Sequence, residues 1–228
     1  MANLLPDSID FAAYEAETEF RVKVRRASVF ADDLHAKFDA GDQKRSPAMA
    51  STKLRGAIEF RPGEVSVWAG YNGHKKSMLT GQVVLDLVAQ RERSLVMSLE
   101  MPPRSTLARM CRQACATDAP SYDRRREFMK WTDGRLWLFD HVGSLSPSKC
   151  MAVCRYFSQE LEGQHVFIDS MMMVCASEES MDEQKQFTTA LVRVAQETGQ
   201  HVHLVAHCRK PSHGEENPPT KYDLRGSA

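Results

Sequence analysis

Short apolar runs alternate with amphipathic stretches through residues 53–228, and this alternation predicts strands that alternate with helices. We predict strands at residues 64–69, 94–99, 136–139, 166–168 and 202–206. We predict helices at residues 77–90, 102–116, 123–131, 147–161 and 182–199. Strands that are apolar along their whole length are typical of a parallel sheet covered on both faces. The pattern therefore predicts an α/β fold with a mostly parallel central sheet flanked by helices.

The first 52 residues have a different pattern. Apolar side chains recur every three or four positions through residues 11–38, which predicts an amphipathic helix. The apolar face of this helix needs a partner, either in its own domain or in a neighbouring subunit. Residues 39–52 are polar and contain glycine, serine and proline, which is typical of a linker. We therefore predict a helix and linker over 1–52 and an α/β domain over 53–228.

The stretch after the first strand has the form of a phosphate-binding loop. A strand, a glycine-containing loop and a helix are the setting in which backbone N–H groups converge on phosphates. Lys76 would reach the β- and γ-phosphates, and the Ser77 hydroxyl would bind Mg²⁺. The predicted nucleotide-binding residues are Gly70, Tyr71, Asn72, Gly73, His74, Lys75, Lys76 and Ser77.

Lys75 departs from the usual form of this loop, G-x-x-x-x-G-K-[ST], in which a glycine stands before the lysine. A side chain at this position could crowd the phosphates or require a backbone conformation that glycine adopts more easily. It could also add a cation near the β-phosphate. The loop alone leaves these interpretations open.

Polar residues follow three other predicted strands, at Glu100, Asp169 and His207. Functional groups gather at the carboxyl ends of strands in parallel sheets. Asp169 would hold Mg²⁺ through its water shell, Glu100 would polarise an attacking water, and His207 would hydrogen-bond a γ-phosphate oxygen. Taken singly, Asp169 and His207 are more often solvated or structural polar residues, and Glu100 fits either interpretation. The phosphate-binding loop earlier in the chain favours the metal-binding role of Asp169.

A polar, proline-rich segment follows His207 and carries Arg209, Lys210 and Lys221. Basic residues on a long loop suit contacts to a nucleic-acid backbone. A solvated loop is the alternative.

Composition restricts the class of protein further. Lysine plus arginine and aspartate plus glutamate are equal at 30 each, so the chain has no net positive charge that would attract nucleic acid. The six cysteines lack metal-ligand spacing, which predicts reduced structural thiols. The first residues lack a secretory pattern, which predicts a cytoplasmic location.

Five segments together resemble the RecA-like motor domain of DnaB-like replicative hexameric helicases, and phage primase-helicases and Twinkle-like enzymes in particular. They are residues 61–73, 98–102 with 107–110, 165–169, 203–207 and 223–227. They occur in the family's order between Lys53 and Ala228. Ser98-Leu-Glu-Met-Pro102 and Asp223-Leu-Arg-Gly-Ser227 are the most specific, because the loop at 70–77 alone indicates only an NTPase.

The resemblance implies a P-loop NTPase that uses ATP, or another NTP, with Mg²⁺ to translocate on single-stranded DNA and unwind duplex. It gives catalytic roles to Glu100, Lys76 and His207 and metal-binding roles to Ser77 and Asp169. It also implies a ring, usually of six subunits, in which the helix at 11–38 docks on a neighbour. The loops at about 170–183 and after His207 would line the central channel.

Two alternatives remain. The family continues past the Gly-Ser pair with a strand and an arginine finger, so we expect a chain truncated before the finger. With Lys75, this keeps open a degenerate module that binds nucleotide or DNA, or assembles with helicase subunits, without efficient turnover. A recombinase or clock-type ATPase is the other alternative, and the segment at 98–102 argues against it.

Overall fold

The computed structural model describes residues 3–6, 28, 31–32, 35, 46–49, 57–175 and 181–208. The helix predicted at 11–38 lies almost entirely outside these residues. The boundary predicted at 52/53 also lies outside them and stays a prediction.

The described chain alternates strands and helices. The strands are β1 (Asn3–Pro6), β2 (Val65–Gly70), β3 (Ser94–Ser98), β4 (Leu136–Asp140), β5 (His165–Asp169) and β6 (His201–His207). The helices are α1 (Lys76–Ala89), α2 (Pro103–Cys115), α3 (Tyr122–Thr132), α4 (Pro147–Leu161) and α5 (Met181–Thr198). Each element predicted from the sequence over 53–228 lies within one residue of its expected ends. Within the described ranges, no helix is long and apolar enough to cross a membrane.

The six strands form one sheet in the order β1–β4–β3–β5–β6–β2, and every neighbouring pair is parallel. Successive strand residues face opposite sides of the sheet. In β5, Val166 and Ile168 join a core with α4 and α5, whereas Phe167 joins a second core with α1 and α2. The prediction of an α/β fold with a parallel sheet flanked by helices is therefore confirmed.

The cysteines contribute to these cores as apolar residues. Cys150 and Cys154 lie one turn apart on α4 and are fully buried in the core beneath it. All six cysteines are in the thiol form, and five of them are buried.

β1 adds an edge strand that the sequence analysis does not predict. Leu4 and Leu5 pair in parallel register with Leu138 and Phe139 of β4. The strand ends on Pro6, and an edge strand tolerates proline because one side of it needs no donor. Four residues are too few to display a period, so the apolar pattern could not reveal this strand.

Three histidines lie buried against Phe60 in the core beneath α1. His165, His201 and His203 are each at most 2% exposed. Trp68 Nε1 donates to His203 Nδ1 at 3.3 Å, and His203 Nε2 lies 3.3 Å from His165 Nδ1. Because the indole only donates, the proton of a neutral His203 ring is on Nε2 and is shared with His165. An added proton on His203 would therefore have no acceptor among these rings.

The histidine cluster is expected to destabilise the fold in acid. Burial and the neighbouring histidines hold the pKa of His203 well below its usual value, whereas an unfolded histidine titrates near about pH 6.5. Below that pH the unfolded chain binds more protons than the folded chain, so the free energy of unfolding decreases as the pH is lowered. His203→Gln keeps a donor and an acceptor but cannot titrate. We expect the His203→Gln variant to lose less stability in acid, with a slope of unfolding free energy against pH that is smaller by up to about 1.4 kcal/mol per pH unit.

Urea denaturation at several pH values below about 6.5 measures this slope. His74→Gln, at an exposed position, is the matched control and should leave the slope unchanged. Equal slopes for the wild-type protein and His203→Gln would contradict the prediction.

Candidate functional site

The carboxyl ends of four neighbouring strands meet at one edge of the sheet. β3, β5, β6 and β2 lie side by side in that order. Glu100, Asp169, His207 and Gly70 lie at or just after the ends of these strands. The sheet thus brings together the four strand-end residues that the sequence singled out.

Lys76 lies over the loop that joins β2 to α1. It is the first residue of α1, and its Nζ donates to the carbonyl oxygens of Gly70 at 2.8 Å and Tyr71 at 2.9 Å. Burial lowers the pKa of Lys76, and neighbouring acidic groups, Asp169 first among them, oppose this. The partly buried ammonium group is thus held at a helix N-terminus, an arrangement that attracts phosphate.

His207 connects Lys76 to Glu100. Its Nδ1 lies 3.2 Å from Lys76 Nζ, and its Nε2 lies 3.5 Å from Glu100 Oε1. Because an ammonium group only donates, Nδ1 accepts and the ring proton is on Nε2, on the side of the carboxylate. Ser170 Oγ donates to the same Glu100 oxygen at 2.6 Å. These four side chains form a continuous polar chain across the sheet edge.

Ser77 and Asp169 provide two adjacent oxygen ligands. The Ser77 hydroxyl group lies beside the Asp169 carboxyl, and Asp169 is 9% exposed. Burial raises the pKa of Asp169, and the hydrogen bond from Ser77 opposes that shift. A desolvated carboxylate beside a hydroxyl group gains from a nearby cation, and such oxygens suit Mg²⁺.

The metal site would be completed by the substrate. In the part of the chain that the structure describes, no group of three or more His, Cys, Asp or Glu side chains could hold a metal ion. Mg²⁺ at nucleotide sites commonly takes one or two protein oxygens together with phosphates and waters. The pair of Ser77 and Asp169 fits that pattern, in which the protein supplies only some of the metal ligands.

A cavity of about 600 Å³ opens between the loop and the strand ends. It is wide enough for a small ligand, and its lining is rich in charged and polar groups. Its lining residues are Asn72, Gly73, Lys75, Lys76, Ser77, Met78, Glu100, Arg109, Asp169, Met172, Met173 and His207.

Arg109 lines this cavity, although the sequence analysis gives it no role. Its Nε is buried without a hydrogen-bond partner. Burial lowers the pKa of its guanidinium group, and the nearby Asp169 opposes that shift. The available signal was its place on α2 beside Thr106 and Met110, which are both buried. A charged side chain next to the core-facing positions of a helix is a candidate for a functional role.

Lys75 has the backbone conformation that the usual glycine would adopt. Its φ is +57° and its ψ is 27°, in the left-handed region, and it forms the N-cap of α1. A residue with a Cβ loses roughly 1–2 kcal/mol in that region. Of the interpretations left open by the sequence, the structure therefore supports the one in which this position needs an unusual backbone conformation. The exposed Lys75 side chain lies at the cavity wall, where it adds a cation.

Lys75→Gly is expected to stabilise the protein by up to about 1 kcal/mol, because it removes the cost of a Cβ at positive φ. Chemical denaturation measures the change. Lys75→Ala is the control, since it removes the same charge but keeps the Cβ. Equal stability of the glycine and alanine variants would show that the loop holds this conformation without a cost.

The predicted DNA contacts, Arg209, Lys210 and Lys221, lie outside the described residues and stay a prediction. Arg124, Arg125 and Arg126 on α3 are all exposed to solvent.

Comparisons with known proteins bear on the fold and the family of this chain. A family model described as an AAA domain matches residues 32–213. A search of curated proteins found no match. A solved structure described as an ATPase domain aligns with a TM-score of 0.74 at 15% identity, covering 90% of this chain and 79% of that chain. A structure of a DnaB-like replicative helicase, described with its interactions with primase, gives a TM-score of 0.71 at 15% identity, covering 90% of this chain and 55% of that chain.

The chain has the RecA-like α/β fold of DnaB-type helicase ATPase domains. It spans just over half the length of the DnaB-like helicase chain. Since the family model covers most of the sequence, the chain belongs to the AAA domain family.

Proposed function

We propose that this chain is the ATP-hydrolysing motor domain of a replicative DNA helicase, which translocates on single-stranded DNA and unwinds duplex. One observation carries the proposal: Lys76, Ser77, Glu100, Asp169 and His207 line a single cavity of about 600 Å³ at the sheet edge. This set combines a phosphate-binding cation, two metal-binding oxygens and a candidate base. The fold likeness to a solved ATPase domain and to a DnaB-like replicative helicase supports a helicase over other NTPases.

The loop residues would bind the triphosphate. Backbone N–H groups of residues 70–77 and the N-terminus of α1 favour an anion, and Lys76 Nζ would reach the β- and γ-phosphates. Ser77 Oγ and the Asp169 carboxylate would hold Mg²⁺, which neutralises charge on the phosphate oxygens when bound. Arg109 adds a further cation to the wall of the same cavity.

Glu100 is the proposed general base. Its carboxylate lines the cavity, and its side chain is 47% exposed, so a water molecule can reach it. A positioned carboxylate that takes a proton from the attacking water contributes about 10²–10⁴-fold in rate. His207 lies between this carboxylate and Lys76, with distances of 3.5 and 3.2 Å. These contacts support a role for His207 in relaying the state of the γ-phosphate to the residues that follow β6.

The DNA and ring partners belong to the proposal as well. Arg209, Lys210 and Lys221 would contact the phosphate backbone of single-stranded DNA, independently of sequence. The amphipathic residues 11–38 would dock on a neighbouring subunit and help to form a ring of six subunits. The motor domain would span 53–228 and act in the cytoplasm.

A second candidate function is a module that binds nucleotide or DNA, or assembles with helicase subunits, without efficient turnover. The observation that favours it is Lys75, which has a φ of +57° where the loop usually has glycine. If the loop must shift when nucleotide binds, a side chain at this position would prevent the backbone N–H groups from closing around the phosphates.

Two measurements on the full chain separate these functions. Calorimetric titration with a non-hydrolysable ATP analogue and Mg²⁺ tests the site, and no binding at millimolar nucleotide would refute the nucleotide site and with it the helicase motor. ATP hydrolysis with and without single-stranded DNA tests the motor. DNA-stimulated turnover supports the helicase motor, whereas binding without turnover supports the second candidate. A strong gain of turnover in Lys75→Gly would show that Lys75 limits this site.

A further inference from the structure

Ser170 follows Asp169 directly, and its hydroxyl group is directed at Glu100. Ser170 is 0% exposed, and its Oγ donates to Glu100 Oε1 at 2.6 Å. A buried hydroxyl group needs a partner, and a bond to an ionised acceptor is shorter and stronger than one between neutral groups. The bond joins residues 70 positions apart in the sequence, so it depends on the neighbouring ends of β3 and β5.

The Glu100 side chain depends on hydrogen bonds for its orientation. It is 47% exposed, so packing leaves it considerable rotamer freedom. Ser170 is fully buried beside the end of β5, so its hydroxyl group fixes one carboxylate oxygen. His207 Nε2 approaches the same oxygen at 3.5 Å.

The two oxygens of Glu100 are therefore not equivalent. Ser170 and His207 both lie against Oε1. Among the described residues, no hydrogen bond to Oε2 is formed. Oε2 is thus the oxygen left to accept a hydrogen bond from a water molecule in the cavity.

We propose that Ser170 is a positioning residue, which holds Glu100 so that Oε2 polarises the attacking water. The inference rests on the proposed ATPase activity. In that reaction the water oxygen forms the new bond to the γ-phosphorus. The bond to the β,γ-bridging oxygen breaks, and its electron pair leaves on ADP. One water proton passes to Glu100 Oε2 and is later released to solvent, so that water and ATP give ADP, phosphate and a proton.

This role also links two parts of the site. Asp169 is the proposed metal-binding carboxylate, and Ser170 is the next residue along the chain. A shift of the end of β5 would therefore move the metal ligand and the hydrogen-bond donor to the base together. The orientation of Glu100 thus depends on the same backbone segment that holds the metal ligand.

The test compares Ser170→Ala with the wild-type full chain. We expect kcat to fall about 10–100-fold, as is typical for loss of a hydrogen-bond partner that orients a functional side chain, while the dissociation constant of a non-hydrolysable ATP analogue stays unchanged. Ser170→Cys, which keeps a weak donor, should give an intermediate kcat. Ser94→Ala is the matched control: Ser94 is also 0% exposed, its Oγ has no hydrogen-bond partner, and it lies at the opposite end of β3.

A double variant separates positioning from a merely structural role. If Ser170 acts through Glu100, Ser170→Ala should cause no further loss of rate in a Glu100→Gln background, measured under single-turnover conditions. An equal loss in both backgrounds would overturn the proposal, and so would an unchanged kcat in Ser170→Ala. A wild-type chain that binds the analogue but hydrolyses no ATP would overturn the proposed motor function and this inference together. An active wild-type chain with an unaffected Ser170→Ala variant would overturn this inference alone.

Discussion

Replacing Lys76 with methionine is expected to weaken binding of Mg-ATP by at least about 100-fold. The Lys76 ammonium group lies at the N-terminus of α1, 2.8 and 2.9 Å from two loop carbonyl oxygens. Hydrogen bonds between charged groups contribute roughly 1.5–3 kcal/mol each, and a phosphate chain offers more than one acceptor. Methionine keeps most of the length of the side chain and removes only its charge and donors. The loss therefore reports the interaction with phosphate.

Calorimetric titration with a non-hydrolysable ATP analogue measures this loss. Lys130→Met makes the same chemical change at an exposed position on α3, outside the cavity, and should bind like the wild-type protein. Because Lys76 also bonds to the Gly70 and Tyr71 carbonyl oxygens, the thermal stability of both variants should be measured. Wild-type affinity in Lys76→Met would refute the assignment of this loop as the phosphate site.

The residues that local pattern could predict are those that lie next to a strong element boundary. Asp169 and His207 each close an apolar strand, so the sequence alone gives both their position and their end of the sheet. Lys76 and Ser77 occur at a loop-to-helix junction with a known spacing. The parallel arrangement then follows, because strands separated by helices return in the same direction.

Other site residues required contacts between distant parts of the chain. Ser170 has no motif of its own, and its role depends on Glu100, which follows a different strand. Arg109 belongs to a helix whose rotation about its axis decides whether it faces solvent or the cavity. Sequence patterns give that rotation only through the residues that face the core, and only three residues of α2 are buried.

The buried histidines show the same limit in the core. His201 and His203 alternate with apolar residues in β6, which resembles a strand with one polar face. That face is instead covered, because Phe60 and Trp68 contact the imidazole rings and Ser66 bonds to His201. Residue type alone does not distinguish a solvated polar face from a buried hydrogen-bonded one.

Glu100→Gln is expected to lower kcat by about 10²–10⁴-fold and to leave nucleotide binding almost unchanged. Glutamine has nearly the same shape and can still accept the hydrogen bond from Ser170, but it cannot take a proton from water. Phosphate binding depends on Lys76 and on the loop backbone instead, so ground-state affinity should persist. A loss of kcat without a change in the dissociation constant is the signature of a group that acts in the transition state.

Steady-state ATP hydrolysis in the presence of single-stranded DNA, together with the analogue titration, measures both quantities. Glu127→Gln removes a carboxylate at an exposed position on α3 and is the matched control. If Glu100→Gln keeps the wild-type kcat, the base must be another group, and Asp169 is the remaining carboxylate in the cavity lining. If Glu100→Gln instead loses nucleotide affinity, Glu100 acts in binding, and its hydrogen bond with Ser170 stabilises the bound nucleotide and not the transition state. Either outcome would refute the proposal that Lys76 binds the phosphates and Glu100 acts as the general base.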